Sequence, residues 1–121
     1  VGRNPGEIQL VAVSKYQSSD AIREAYKAGQ RHFGENYVQE LIKKQKELQD
    51  LNDIKWHFIG HLQRKKARNI VGTIEVIETV DSIPLLIELE KRAETKNVSV
   101  SVLPPIGIPS SFWLFTTVDW N

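Results

Sequence analysis

The chain has no cysteine among its 121 residues, which excludes a disulfide-stapled scaffold and any thiolate metal site. It has no methionine either, not even at position 1, so the natural N-terminus is expected to have been cropped or processed. Charge of one sign is also lacking. With 16 basic against 15 acidic residues, a net charge of +1 gives no field that would draw in nucleic acid or an anionic membrane. No run approaches the roughly 20 apolar residues that cross a bilayer. The opening Val1-Gly2-Arg3-Asn4-Pro5-Gly6 is not a basic region leading into an apolar signal segment. The expected setting is the cytoplasm, with the mitochondrion as the alternative, and neither membrane nor nucleic acid is an expected partner. What is present is ordinary: 40% hydrophobic and 26% charged residues place the chain with globular proteins that fold in water. Its length suits one domain with a real core.

Lys15 stands out because it ends the apolar run Leu10-Val11-Ala12-Val13-Ser14. Such a run reads as a strand buried on both faces, so the lysine is carried to the strand's end and not onto a solvated helix. Partial desolvation there disfavours an ammonium, and a neutral amine can condense with an aldehyde to form an imine. The plain alternative is a lysine that snorkels into water at a strand terminus.

Two periods alternate along the chain. Short β-branched and aromatic runs fall at 8–14, 31–34, 54–60, 74–79 and 98–103, separated by helical spacing at 20–28, 37–48, 63–71 and 83–95. Strands separated by helices of this length pair in parallel through right-handed crossovers. Ser18-Ser19-Asp20 can cap the first helix and Gly29 can end it, while Asp81-Ser82 can cap the fourth with Pro84 in its first turn. In the second helix, Tyr37, Val38, Leu41, Ile42 and Leu48 form the expected apolar face, and Lys43, Lys44, Lys46 and Glu47 the solvated one. From Val102 to Ser111 three prolines and a glycine break the pattern. An irregular tail carrying the apolar patch Phe112-Trp113-Leu114-Phe115 is expected there.

In α/β architectures ligands bind outside the carboxyl ends of the strands. That rule selects Lys15, Glu35-Asn36, Gly60-His61 and Asp81-Ser82. Polar and flexible groups thus gather at one edge, where a small anion could meet hydrogen-bond donors and helix dipoles. Gly34 and Gly60 read as tight βα turns. Asn36 reads first as a helix cap. Trp56 and Phe58 alternate with His57 and read as packing residues, while His57 shares a face with Lys55 and Ile59, as a satisfied core histidine would.

Three segments carry a family likeness: Val11-Ala12-Val13-Ser14-Lys15, then His32-Phe33-Gly34-Glu35-Asn36-Tyr37-Val38-Gln39-Glu40, then Trp56-His57-Phe58-Ile59-Gly60-His61-Leu62-Gln63. In order and spacing they resemble the successive signatures of the pyridoxal phosphate homeostasis protein family, and Glu78-Thr79-Val80-Asp81-Ser82 fits the next strand end. The likeness runs over about residues 6 to 100, the N-terminal half of the family's fold. It implies a protein that binds pyridoxal 5'-phosphate (PLP), a carrier or regulator of that cofactor without defined turnover, on a (β/α)8 barrel of the alanine-racemase type. Carried over residue by residue, Lys15 matches the lysine that forms the imine with PLP, and Asn36 and His57 match positions near the cofactor.

The expected fold is therefore α/β: a partial (β/α)8 TIM-type barrel of about five parallel strands and four helices over residues 1–103, then an irregular tail over 104–121. Two departures from the family qualify this. Arg64-Lys65-Lys66-Ala67-Arg68 makes a basic cluster, read as a solvated helix face. The tail resembles nothing in the family, as if another reading frame or exon had replaced three more βα units and their phosphate site. Five strands cannot close a barrel, so an exposed sheet edge and self-association along it are expected. Loss of the phosphate site would weaken cofactor affinity. The alternatives are a racemase-like PLP enzyme, for which no second acid/base group is identifiable, and a non-functional truncated product.

Overall fold

The computed structural model describes residues 10–78 and 80–102. Five parallel strands form one sheet in the order β1-β2-β3-β4-β5: Ala12–Val13, His32–Glu35, Lys55–Phe58, Val76–Ile77 and Ser101–Val102. Between them run α1 (Ser19–Lys27), α2 (Val38–Glu47), α3 (Ala67–Ile70) and α4 (Ile83–Lys96). Each strand pairs with the next in sequence, so the winding never reverses. That is the topology of a (β/α)8 barrel, of which this is a part, and not of a doubly wound sheet with a switch point. Among the described residues β1 and β5 are the sheet's edges. The proposed tail at 104–121, with its patch at Phe112 to Phe115, lies outside the described residues.

The end signals of the helices work locally. Ser18 caps α1 by accepting the Ala21 N–H at 3.0 Å, and Gly29 follows it at φ 108°. Ser82 caps α4, with Pro84 in its first turn, and Asn97 closes that helix in the left-handed conformation. The third helix is shorter than its spacing predicts: a 3-10 turn at Arg64–Lys66 precedes only four α-helical residues. Arg64, Lys65 and Arg68 are exposed, as a solvated face requires.

Register divides the sheet into two faces. Phe33, Trp56, Phe58, Ile77 and Val102 point to the helix layer and join Leu41, Ile70, Leu86 and Leu89 in the core. Burying each large apolar side chain contributes roughly 1.5–3 kcal/mol. The opposite face carries one row across all five strands, Val13, Gly34, His57, Val76 and Ser101, paired in that order. This face is only partly covered. Leu10 and Val13 are 75% and 55% exposed, so β1 is not buried on both faces as its composition suggests. Burial on both faces needs a second layer, and among the described residues none covers Leu10 and Val13.

The second helix departs from its sequence pattern. Lys44 is 4% exposed and turns to the sheet, while Ile42 and Tyr37 are 40% and 48% exposed. Lys44 lies three residues after Leu41 and four after Glu40, on the stripe that faces the carboxyl end of β2.

Candidate functional site

Beyond Val13 the chain leaves β1 in a tight turn built around Lys15. Ser14 N–H still donates to the Gly34 carbonyl at 2.9 Å, as a strand residue would, and Gln17 N–H returns to the Ser14 carbonyl at 3.0 Å. Tyr16, inside that turn, has φ 63°, a left-handed conformation that a bulky side chain adopts only under constraint. The constraint is visible. Lys44 Nζ donates to the Ser14 carbonyl at 2.5 Å, and the Tyr16 N–H donates to Glu40 Oε2 at 2.8 Å. The peptide groups on either side of Lys15 are thus each tied to α2.

The ties belong to a buried charge cluster. Lys44 Nζ also donates to Glu35 Oε2 at 2.9 Å and to Glu40 Oε2 at 3.0 Å, and Ser14 Oγ donates to Glu35 Oε2 as well. Glu35 is fully buried and Lys44 nearly so. Burial pushes the Glu35 carboxyl above its ordinary range, against the pull of its hydrogen bonds from Ser14 and Lys44. For Glu40 burial acts the same way, but the bonds from Lys44 and the Tyr16 N–H outweigh it and hold the carboxyl below its ordinary range. Glu35 Oε1 has no hydrogen-bond partner among the described residues.

Lys15 itself is exposed and makes no hydrogen bond among the described residues. The burial expected from its apolar run is therefore not provided by β1, whose face away from the helices is open at Val13. Its amine is accessible and its backbone is fixed.

Asn36 follows β2 at the same rim. The cap position of α2 is taken by Tyr37 and carries no side-chain cap bond, so Asn36 does not cap the helix. Its Oδ1 is buried and has no hydrogen-bond partner among the described residues. The Asn36 backbone is pressed by Gly60: a Cβ on Gly60 would lie 2.0 Å from the Asn36 carbonyl oxygen. Gly60 thus serves close approach between two loops. Gly34 is a strand residue and not a turn, and the side chains of Ile59 and Val11 occupy the space that its own would take.

His57 lies one layer deeper, in the row with Gly34 and Val76, and is 4% exposed. Both ring nitrogens are engaged by protein: Nδ1 with Glu78 Oε2 at 2.9 Å and Nε2 with His32 Nδ1 at 3.0 Å. Burial, then the neighbouring His57, lower the His32 pKa from its ordinary value. Farther along the rim His61 Nδ1 meets Asp81 Oδ2 at 3.1 Å, both exposed.

The structure therefore brings Lys15 and Asn36 to adjoining strand ends and sets His57 below them. Sequence reasoning misses the residues that hold the rim: Ser14, Glu40, Lys44, His32 and Glu78 are not singled out by it. The i,i+4 pair Glu40–Lys44 is the one local signal that could have found the cluster.

No protein-family model matches the chain. Individual proteins do. The chain is 41% identical over 109 residues to the pyridoxal phosphate homeostasis protein of Escherichia coli (strain K12), covering 88% of this chain and 47% of that one. It is 47% identical over 98 residues to the protein of the same name from Schizosaccharomyces pombe, covering 79% and 36%. The Bos taurus protein of that name is 47% identical over 95 residues, covering 70% and 35%. The chain thus spans about half the length, or less, of these relatives. Among solved structures it is similar to PipY of Synechococcus elongatus PCC7942 with PLP bound, at a TM-score of 0.88 and 40% identity, covering 97% of this chain and 62% of that one. The PLP-free PipY structure gives a TM-score of 0.84.

Proposed function

The chain is a relative of the pyridoxal phosphate homeostasis proteins over about half their length, and on that premise we propose that it binds pyridoxal 5'-phosphate, attached covalently to Lys15, in intracellular cofactor homeostasis. The observation that carries this is the Lys15 amine. It is exposed, unpaired among the described residues, and set on a turn tied from both sides at the carboxyl rim of the sheet.

When bound, PLP supplies an aldehyde with which a neutral lysine amine condenses, releasing one water. The residues present fit such a group. Lys15 offers the accessible amine. Asn36 Oδ1, buried and without a hydrogen-bond partner among the described residues, offers an acceptor to a ring hydroxyl or a protonated ring nitrogen. His57 has both ring nitrogens committed to Glu78 and His32, so its part is to form the floor beneath the rim and not to hydrogen-bond a ligand. Among the described residues β1 is an edge strand, with Leu10 and Val13 exposed beside it, and this reading has chains self-associate along that edge.

The test is a visible absorption titration of the purified protein with PLP beside a Lys15→Ala variant. A new visible band that saturates with wild type and is absent from the variant is the expected result. Identical spectra for the two proteins would dismiss Lys15 as the attachment point.

A further inference from the structure

Among the described residues Tyr16 is the bulkier of the two non-glycine residues in a left-handed conformation, and it directly follows the exposed Lys15. Conformations of this kind persist only where the surroundings over-determine them, and they gather where position matters. Here the surroundings can be named. One side of the turn is the Ser14 carbonyl, which accepts from Gln17 N–H at 3.0 Å and from Lys44 Nζ at 2.5 Å. The other side is the Tyr16 N–H, whose acceptor is Glu40 Oε2 at 2.8 Å. Glu40 and Lys44 are one helical turn apart on α2 and joined at 3.0 Å, so a single rigid element holds both sides. Glu35, fully buried beneath them, fixes Lys44 in turn.

We propose that Glu40 is a positioning residue for Lys15: its carboxylate, by accepting the Tyr16 N–H, holds the turn in the conformation that presents the Lys15 amine at the rim, with Lys44 anchoring the opposite side. This rests on Lys15 being the point of attachment proposed above. Among the described residues Glu40 is bonded to the Tyr16 N–H and to Lys44, and not to the Lys15 amine. It acts through the backbone. A lysine on an untethered turn samples many directions, and the loss of a fixed reacting geometry is felt as rate.

The test uses Glu40→Ala, which removes the acceptor, and Glu40→Gln, whose amide oxygen can still receive the Tyr16 N–H. Two readouts are taken at matched thermal stability. The first is exchange of the Tyr16 amide hydrogen by NMR, which needs no ligand: protection is expected in wild type and Glu40→Gln and its loss in Glu40→Ala. The second is the rate of PLP capture at Lys15, followed by borohydride reduction and peptide mapping, with labelling of exposed Lys43 and Lys91 as the internal control. Capture by Glu40→Ala should be slower by about tenfold or more, with Glu40→Gln near wild type and the control lysines unchanged. Protection of Tyr16 that survives in Glu40→Ala overturns the proposal, as does loss of protection without any slowing of capture. No capture at Lys15 by wild type defeats the parent reading instead, and the amide exchange still reports whether the turn is held.

Discussion

Gly60 and the Asn36 carbonyl are so close that a methyl group could not be placed between them: a Cβ at position 60 would sit 2.0 Å from that oxygen. The contact joins the loop after β3 to the loop after β2 and fixes their spacing at the rim. Gly60→Ala must displace backbone, not a pliable side chain, so it should cost on the order of 1–3 kcal/mol or more. Urea unfolding measures this, and a midpoint equal to wild type would mean the two loops move apart freely.

The Lys44–Glu35 pair is buried on both sides, at 5% and 0% side-chain exposure. Breaking such a pair from one side leaves a charge uncompensated, and Lys44→Met should cost about 3–5 kcal/mol. Adding Glu35→Gln to Lys44→Met should recover part of that loss, since the stranded carboxylate is then neutral. Chemical denaturation of the two variants side by side checks the sign of the second step.

His32 gives the fold a pH dependence. Its folded-state pKa is lowered, by burial first and His57 second, so the unfolded chain takes up that proton more readily than the native one. The stabilisation is present above the unfolded value of about 6.5 and is lost as pH falls through the lower folded value. His32→Asn should flatten the dependence of melting temperature on pH in that window while leaving the more acidic limb, set by carboxylates, in place. An unchanged profile between pH 7 and 5 would remove His32 from the account.

The two serine caps should be separable from the rim. Ser18→Ala and Ser82→Ala each remove a bond to a helix N–H, at 3.0 and 3.3 Å, and each should cost about 1 kcal/mol. Circular dichroism melts give the size of the loss.

The fold is legible in the sequence because its signals are local. Strand and helix periods alternate, and Ser18, Gly29, Ser82 and Pro84 mark the helix ends where the structure has them. The rim is only half legible. Lys15, Asn36 and Gly60 can be found as strand-end residues, whereas Lys44 is hidden among the lysines of α2. Its burial follows from a rotation of the helix about its axis that places position 44, and not position 42, against the strand ends. The open face of β1 is equally invisible, since an apolar strand reads alike whether or not a second layer covers it. The His32–His57–Glu78 chain depends on register between three strands, which no single segment encodes.

Borohydride reduction of the PLP-treated chain, followed by peptide mass mapping, addresses the central claim most directly. The account predicts a pyridoxyl mass on the peptide holding Lys15, formed ahead of any other lysine and absent in Lys15→Ala. Label spread over exposed lysines with no preference for position 15 would contradict it.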